Sequence, residues 1–305
     1  MTALSQLILE SYQTRKTKKQ KAAFISLLQK HFPDLKVQEG GFPKSKNLII
    51  GDVESAKVLL TAHYDTCARL LFPNFITPKK PVLVILYSLL MILPLFIAVF
   101  VLNLLLSLIT DNYWAHYLLS LISYFGILFL MLAGPANTHT ANDNTSGVIL
   151  LCELLTQMSP EDRAKTAFVF FDNEESGLLG SSCFRKHYKK QLQNKLIINF
   201  DCISDGDYIL VAANKSAYKD YGTTLVEFFC NKGNKQMLHE KLERIYYPSD
   251  QAGFKNAIAV ASLKHNRFLG YYMDKIHTKA DTVFDEENIR LLSTCTQEFI
   301  KKIVI

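Results

Sequence analysis

One stretch limits what this chain can become more than any other. From Val82 to Ile109 the sequence reads VLVILYSLLMILPLFIAVFVLNLLLSLI, without a charge. A helix of that length, rising 1.5 Å per residue, exceeds a hydrocarbon core of about 30 Å, so a span must tilt, kink or protrude. Pro94 is the expected kink. A second uncharged run extends from about Trp114 to Ala133, after a short link at Thr110 to Asn112. The chain's only tryptophan, Trp114, stands there with Tyr113 and Tyr117, as an interfacial aromatic belt would. The pattern predicts a transmembrane helical hairpin over residues 81–133, with spans at about 82–109 and 114–133, and an integral membrane protein in contact with the lipid bilayer. Residues 1–80 and 134–305 then form one discontinuous domain. A buried soluble hairpin or a dimerisation patch is the competing reading. It is disfavoured because two such runs side by side are hard to hide in a domain this size.

Outside that insertion the chain is long enough for one large core. The net charge of +6, from 34 basic and 28 acidic side chains, is mild, and no nucleic-acid signature accompanies it. The most basic stretch is Arg15, Lys16, Lys18, Lys19 and Lys21. It is expected to be a solvated turn between two helices, or else a contact to an anionic leaflet. The six cysteines, at 67, 152, 183, 202, 230 and 295, form no CxxC pair. They resemble small core residues of a reducing compartment more than a disulfide framework. Cys67 closely follows a candidate ligand motif, where its oxidation would disturb the site; a bystander thiol is the simpler reading. Residues 1–30 show helical spacing without the long apolar core of a signal peptide.

The remainder alternates strands and helices. Helices are expected at 3–13, 17–31, after Asn144 (with Thr145 and Ser146 as caps), at 177–191 and at 284–303. Strands are expected at 34–39, 46–51, 57–62, 167–171, 196–200, 208–212 and 258–263. This alternation predicts an α/β sheet with helices on both faces.

Candidate metal ligands punctuate that frame: His63 and Asp65 in TAHYDT, Asp143 in ANDNTSG, Glu174 and Glu175 in FDNEESG, Asp201 in INFDCIS and His277 in KIHTKADT. Several sit just after apolar strand patterns, where open α/β sheets place their active sites. Imidazole and carboxylate together suit Zn²⁺, and also Co²⁺ or Mn²⁺. A carboxylate has two oxygens, so one aspartate can bridge two ions. Two ions can acidify water and polarise a carbonyl, while a neighbouring carboxylate moves the proton. Asp65 is placed to accept the second N–H of His63. His139 and His265 compete as ligands, His265 because it follows a strand end. If His63 and Asp143 share a site, they lie on one side of the membrane, which requires an even number of crossings. Arg69, Lys79 and Lys80 flank the first span, and the inter-span loop has no Lys or Arg. This bias predicts a cytoplasmic domain with two spans.

The motifs HYDT, NDNTSGV, EESGLLGS, the NFD strand end, SDQAGF and HTKADT occur in the order of the di-zinc aminopeptidase family, zinc-dependent exopeptidases of bacterial leucyl aminopeptidase type, which the chain resembles outside the hairpin. The resemblance implies a three-layer zinc-exopeptidase (phosphorylase/hydrolase-like) fold with a mixed central sheet, two Zn²⁺ per chain and a peptide substrate. It implies that His63, Asp143 and Asp201 hold one metal, that Asp143, Glu175 and His277 hold the other, and that Glu174 is the general base. It also implies a cis peptide after Asp143. Many members carry tyrosine where this chain has Ile276, so Tyr247 in YPSD is the candidate substitute for the oxyanion stabiliser, with a core aromatic as the competing reading. Asp250 and Phe254 are expected at the pocket floor. The leading reading is a membrane-anchored aminopeptidase. The alternatives are a single-zinc acyltransferase resembling glutaminyl cyclases and a non-catalytic binding scaffold.

Overall fold

The centre of the molecule is a mixed β-sheet, and its burial pattern follows from the strand sequences. The structure is a computed structural model that describes residues 1–304. Helices α1 (Ala3–Ser11) and α2 (Lys18–His31) open the chain, followed by β1 (Lys36–Gly40), β2 (Ser45–Ile50) and β3 (Val58–His63). Helices α3 (Pro81–Ser107) and α4 (Tyr113–Ala133) form the hairpin. Then come α5 (Gly147–Gln157), α6 (Pro160–Ala164), β4 (Thr166–Phe171), α7 (Leu179–His187), β5 (Leu196–Phe200) and β6 (Tyr208–Ala213). The chain closes with α8 (Lys215–Phe228), β7 (Gln236–Lys241), β8 (Ala257–Asn266), β9 (Gly270–Tyr272) and α9 (Glu286–Val304).

The strand order is β1-β2-β4-β3-β5-β8-β6-β7, with β9 on β8. Strand β3 is parallel to both β4 and β5, and β5 is parallel to β8; the β2–β4 and β6–β8 pairings are antiparallel. Side chains alternate faces along a strand, and TAFVFF of β4 does so. Phe168 and Phe170 join the core beneath α1, α2, α5 and α9; Ala167, Val169 and Phe171 join the core beneath Phe184 of α7. All six residues are buried, as expected of an apolar run covered on both faces. The fold is therefore a three-layer α/β sandwich.

The crossovers place the functional end. The chain moves from β3 outward to β4, then back across β3 to β5. Strand order reverses at that point, and the carboxyl ends of β4, β3 and β5 border one crevice.

The hairpin departs from this pattern. Helix α3 has mean hydropathy 2.9 and α4 has 1.8 over their most apolar windows, and none of either window is buried. Helix α3 runs through Pro94 without a break. Both are long and apolar enough to cross a membrane. A polar clip joins them. Asn103 Nδ2 donates to Ser120 Oγ at 3.0 Å, and Asn103 Oδ1 lies 3.0 Å from His116 Nδ1.

Two local expectations are corrected. Thr145 and Ser146 do not cap α5. Instead Asn144 Oδ1 accepts the Gly147 N–H at 3.0 Å, and Ser146 Oγ donates to the Asn142 carbonyl. The basic stretch is not a solvated turn throughout. Arg15 is fully buried, and Lys21 pairs with Asp172.

Candidate metal centre

Strand ends and tight turns bring the predicted ligands together. His63 ends β3; Glu174 and Glu175 follow β4; Asp201 follows β5. Asp143 sits in the irregular turn Ala141–Ser146 before α5, where the Asp143–Asn144 peptide is cis. His277 lies between β9 and α9. His63 Nε2 lies 3.2 Å from Asp143 Oδ1 and 3.5 Å from Asp201 Oδ1. His277 Nε2 lies 3.1 Å from Asp143 Oδ2 and 3.2 Å from Glu175 Oε2. The two oxygens of one carboxylate thus face two different imidazoles. Ligand atoms of His63, Asp143 and Asp201 all lie within 4.8 Å of one another, as do those of His63, Glu174 and Glu175, and those of Cys67, Glu175 and His277.

The backbone here is held in conformations that side-chain-bearing residues rarely adopt. Asn173 before the glutamate pair, Leu178 after it, Cys202 after Asp201, and His277 itself have φ of 55°, 59°, 56° and 66°. Each costs on the order of 1–3 kcal/mol and persists only where surrounding contacts enforce it. Those contacts are visible. Asp65 Oδ1 and Oδ2 accept the N–H groups of Glu174 and Glu175 at 3.0 and 3.3 Å. Asp281 Oδ1 and Oδ2 accept those of Asn142 and Asp143 at 2.9 and 3.0 Å. Lys21 reaches Asp172 and, at 2.8 Å, Asn173 Oδ1. Arg15 donates from Nε to the Tyr64 carbonyl and from Nη1 to Thr145 Oγ1 at 3.1 Å. It therefore ties the His63 strand end to the Asp143 turn, although the hairpin separates them in the chain.

The charge balance asks for cations. Burial pushes Glu174 well above the usual carboxylate range, with Glu175 adding repulsion. Burial raises Glu175 to about 8, and Asp250 and Asp281 each to about 7. Burial alone would lower the imidazoles. The surrounding carboxylates overturn it, holding His277 at about 9 and His63 well above its ordinary value. Glu175 Oε1 and Asp201 Oδ1 are buried without a hydrogen-bond partner. Unpaired buried carboxylate oxygens are costly, and imidazole with carboxylate is a suitable donor set for zinc. These residues fit a bound metal.

Other expected residues fall differently. The Asp65 carboxylate lies 3.7 Å from His63 Nδ1, but the nearer acceptor is the Asp65 backbone carbonyl, at 3.1 Å. Tyr247 lines the cleft and is buried. Its one hydroxyl proton goes to the Asp201 carbonyl at 2.9 Å, so it holds Asp201 rather than offering a free donor. Ser249 Oγ donates to Asp201 Oδ2. Asp250 is fully buried close to Glu174, and Phe254 packs in the core against Phe171; neither lines the cleft, so neither forms the pocket floor. His139 and His265 are exposed, and His265 packs on Tyr208 and Tyr271. The cleft, of about 290 Å³, is walled by Asn74, Ile76, Leu178, Pro248 and Ile276 around the ligands.

Arg15 and Asp281 were not among the residues expected in this role. Asp281 had a signal, lying inside HTKADT. Arg15 had none, because nothing local distinguishes a buried guanidinium from a solvated one.

Known proteins share parts of this arrangement. The chain is 34% identical over 124 residues to a "probable leucine aminopeptidase 2" of Aspergillus oryzae (strain ATCC 42149 / RIB 40). That stretch is 38% of this chain but spans only 22% of the relative's length. Among solved structures, a Zn-dependent exopeptidase from Parabacteroides distasonis ATCC 8503 superposes with a TM-score of 0.56 at 13% identity, covering 97% of this chain and 94% of that one. A glutaminyl cyclase from Porphyromonas gingivalis gives 0.56 at 14% identity, covering 98% and 96%. The LapA aminopeptidase of Legionella pneumophila gives 0.55 at 14% identity, covering 98% and 68%. At these identities the likeness is one of fold. Peptidase family M28 matches residues 126–300, more than half of the length and with Asp143, Glu175, Asp201 and His277 inside the match, and the chain belongs to that family.

Proposed function

We propose that this chain is a zinc-dependent aminopeptidase with a two-ion site, anchored in a membrane by its hairpin. The observation that carries the reading is the Asp143 carboxylate, with one oxygen 3.2 Å from His63 and the other 3.1 Å from His277. His63, Asp143 and Asp201 would hold one ion; Asp143, Glu175 and His277 would hold the other. Bound zinc there supplies Lewis acidity toward water and toward the scissile carbonyl. The protein's own groups do the rest. Glu174 borders both the cleft and the ligand cluster, where its carboxylate takes a proton from water and delivers it to the departing amine. Asp65 fixes Glu174 and Glu175 through their backbone N–H groups. Tyr247 and Ser249 fix Asp201 from its carbonyl and its Oδ2. Ile76, Leu178 and Ile276 give the cleft wall apolar surface.

Replacement of Glu174 by Gln is expected to lower turnover of aminoacyl amides by roughly 10²–10⁴-fold while both ions stay bound. Retained turnover removes Glu174 as the proton carrier. The full-length superposition on a glutaminyl cyclase keeps a single-ion acyltransferase as the second reading. Metal analysis separates the two, since one ion per chain would favour the cyclase.

The hairpin, in this reading, crosses the bilayer twice and leaves the domain on one face, the cytoplasmic one by the placement of Arg69, Lys79 and Lys80. Protease treatment of sealed vesicles tests the side: cleavage of the domain from outside reverses the assignment.

A further inference from the structure

The surface around the hairpin roots has a composition that neither the hairpin nor the metal centre explains. Helix α3 begins at Pro81, and Lys80, the residue before it, donates from Nζ to the Phe268 carbonyl at 2.8 Å. Lys79 stands 5.7 Å over the Tyr271 ring. The β8–β9 turn is thereby tied to the point where the apolar helix starts. At its tip Phe268 is 83% exposed beside exposed Arg267. On the segment leading into α3, Leu71 is 93% exposed, close to exposed Arg69, whose N–H donates to the Pro135 carbonyl just past α4. From the N-terminal segment, Lys16 Nζ donates to the Leu132 carbonyl in the last turn of α4.

Three segments distant in sequence therefore surround the roots with exposed apolar side chains and cations. Aromatic and aliphatic tips flanked by Lys and Arg are what an anionic lipid surface accepts. The Lys80–Phe268 tie also sets the turn beside the start of α3, whose apolar surface begins at Val82, 63% exposed.

We propose that this face rests directly on the bilayer, with Phe268 and Leu71 in the interfacial layer and Lys16, Arg69, Lys80 and Arg267 at the headgroups. The proposal rests on the hairpin spanning the membrane. It fixes where the cleft stands. Asn74 and Ile76, which wall the cleft, belong to the same root segment, and five residues carry the chain from Ile76 to Pro81. Extended, they span at most about 17 Å. Phe75, between those two wall residues in the chain, packs on Tyr87 of α3 at 5.1 Å between ring centroids, and Tyr87 Oη donates to the Pro73 carbonyl. The substrates it reaches are then peptides whose N termini lie at the membrane surface.

The test uses the full chain in vesicles containing phosphatidylserine, with fluorescence quenching by brominated lipids. The native Trp114 reports the far end of the hairpin. The double replacement Trp114→Phe with Phe268→Trp moves the sole tryptophan to the turn, which is exposed and tolerant of the change. The expected result is quenching at both positions, with a blue shift at position 268 and stronger quenching there by lipids brominated near the headgroup. If Trp114 is quenched but the tryptophan at 268 emits as in water, the hairpin stands and the resting face is overturned. A blue shift at 268 that grows with protein concentration, without lipid quenching, assigns the patch to a second copy and also overturns it. Loss of quenching at both positions, with no co-flotation, sinks the hairpin reading itself. For the substrate class, a lipid-anchored peptide with a spacer of about ten residues, ~34 Å extended, is expected to be cleaved as readily as one with a much longer spacer. Sparing of the short one alone overturns that assignment.

Discussion

Strand β3 and helix α3 lie close in the chain and are opposites in burial. All six residues of β3 are buried, including His63 at its end, whereas α3 runs for 27 residues with none buried. Both are apolar runs. The difference lies in what covers them. Strand β3 is flanked by β4 and β5 and packed by α5, while α3 has α4 as its main partner. Each region also holds a polar cluster. Around Asp143 the groups are charged, crowded and short of partners. In the hairpin, Asn103, Ser120 and His116 find partners in one another. The first cluster calls for added cations; the second closes on itself.

The largest effects belong to the unsatisfied cluster. Replacing Glu174 by Gln should lower kcat by roughly 10²–10⁴-fold, measured on a chromogenic aminoacyl amide, with zinc content unchanged. Zinc lost in parallel with activity would place Glu174 among the ligands instead. In the proposed two-ion site, Asp143→Ala should go further and release both ions, because its two oxygens face both imidazoles. Loss of a single ion would break the bridging assignment.

Next comes the brace behind that cluster. Arg15→Met should cost about 4 kcal/mol, since it leaves buried acceptors unpaired and withdraws a cation from beside Asp65 and Asp143. Denaturant unfolding in detergent would read it. Arg15→Lys should recover only part, because a point charge cannot reach the Tyr64 carbonyl and Thr145 together. Full recovery by lysine would reduce Arg15 to its charge alone.

The contrast between β3 and α3 also separates what the sequence could show from what it could not. The buried strands β3, β4 and β5 were legible because their apolar runs end in polar motifs at the carboxyl end. Strand β7, QMLHEK, was not. It is a half-buried edge strand whose hydrophobic pattern is weak, and its place depends on pairing with β6. Helix α8 likewise escaped, since KSAYKDYGTTLVEF buries only Ala217 and Leu225. In the site, ligand types and order could be read along the chain. The division of labour within Asp65 could not, because its backbone carbonyl and its carboxylate serve different partners. Arg15 was legible as a charge and illegible as a buried one, since burial is decided by segments 49 and 130 residues away.

A charge placed in the exposed run tests the other half of the comparison. Leu93, near the middle of α3, is 54% exposed. Leu93→Arg should cost about 3 kcal/mol if that surface meets hydrocarbon, seen as a reduced inserted fraction in a glycosylation-mapping assay. In water the same change on an exposed helix face would cost little, so an unchanged inserted fraction would turn α3 into a surface helix.

The smallest effect distinguishes the two polar clusters most directly. Asn103 donates to Ser120 and to the Val99 carbonyl, and its side-chain oxygen meets His116. Asn103→Leu removes those contacts while keeping an apolar face. Interhelical hydrogen bonds in membranes are worth about 0.6 kcal/mol on average, because released groups find other partners. His116 Nε2 retains the Thr110 carbonyl, and Ser120 Oγ retains the His116 carbonyl, so a loss of that order is expected if the hairpin spans the bilayer as proposed. A double-mutant cycle with Ser120→Ala, read from unfolding in bicelles, would isolate the coupling. A coupling several times larger would mean that the clip fixes the hairpin's geometry as firmly as Arg15 fixes the metal centre. A coupling near zero would leave packing between α3 and α4 to hold the pair, and the polar groups would then be passengers in an otherwise apolar contact.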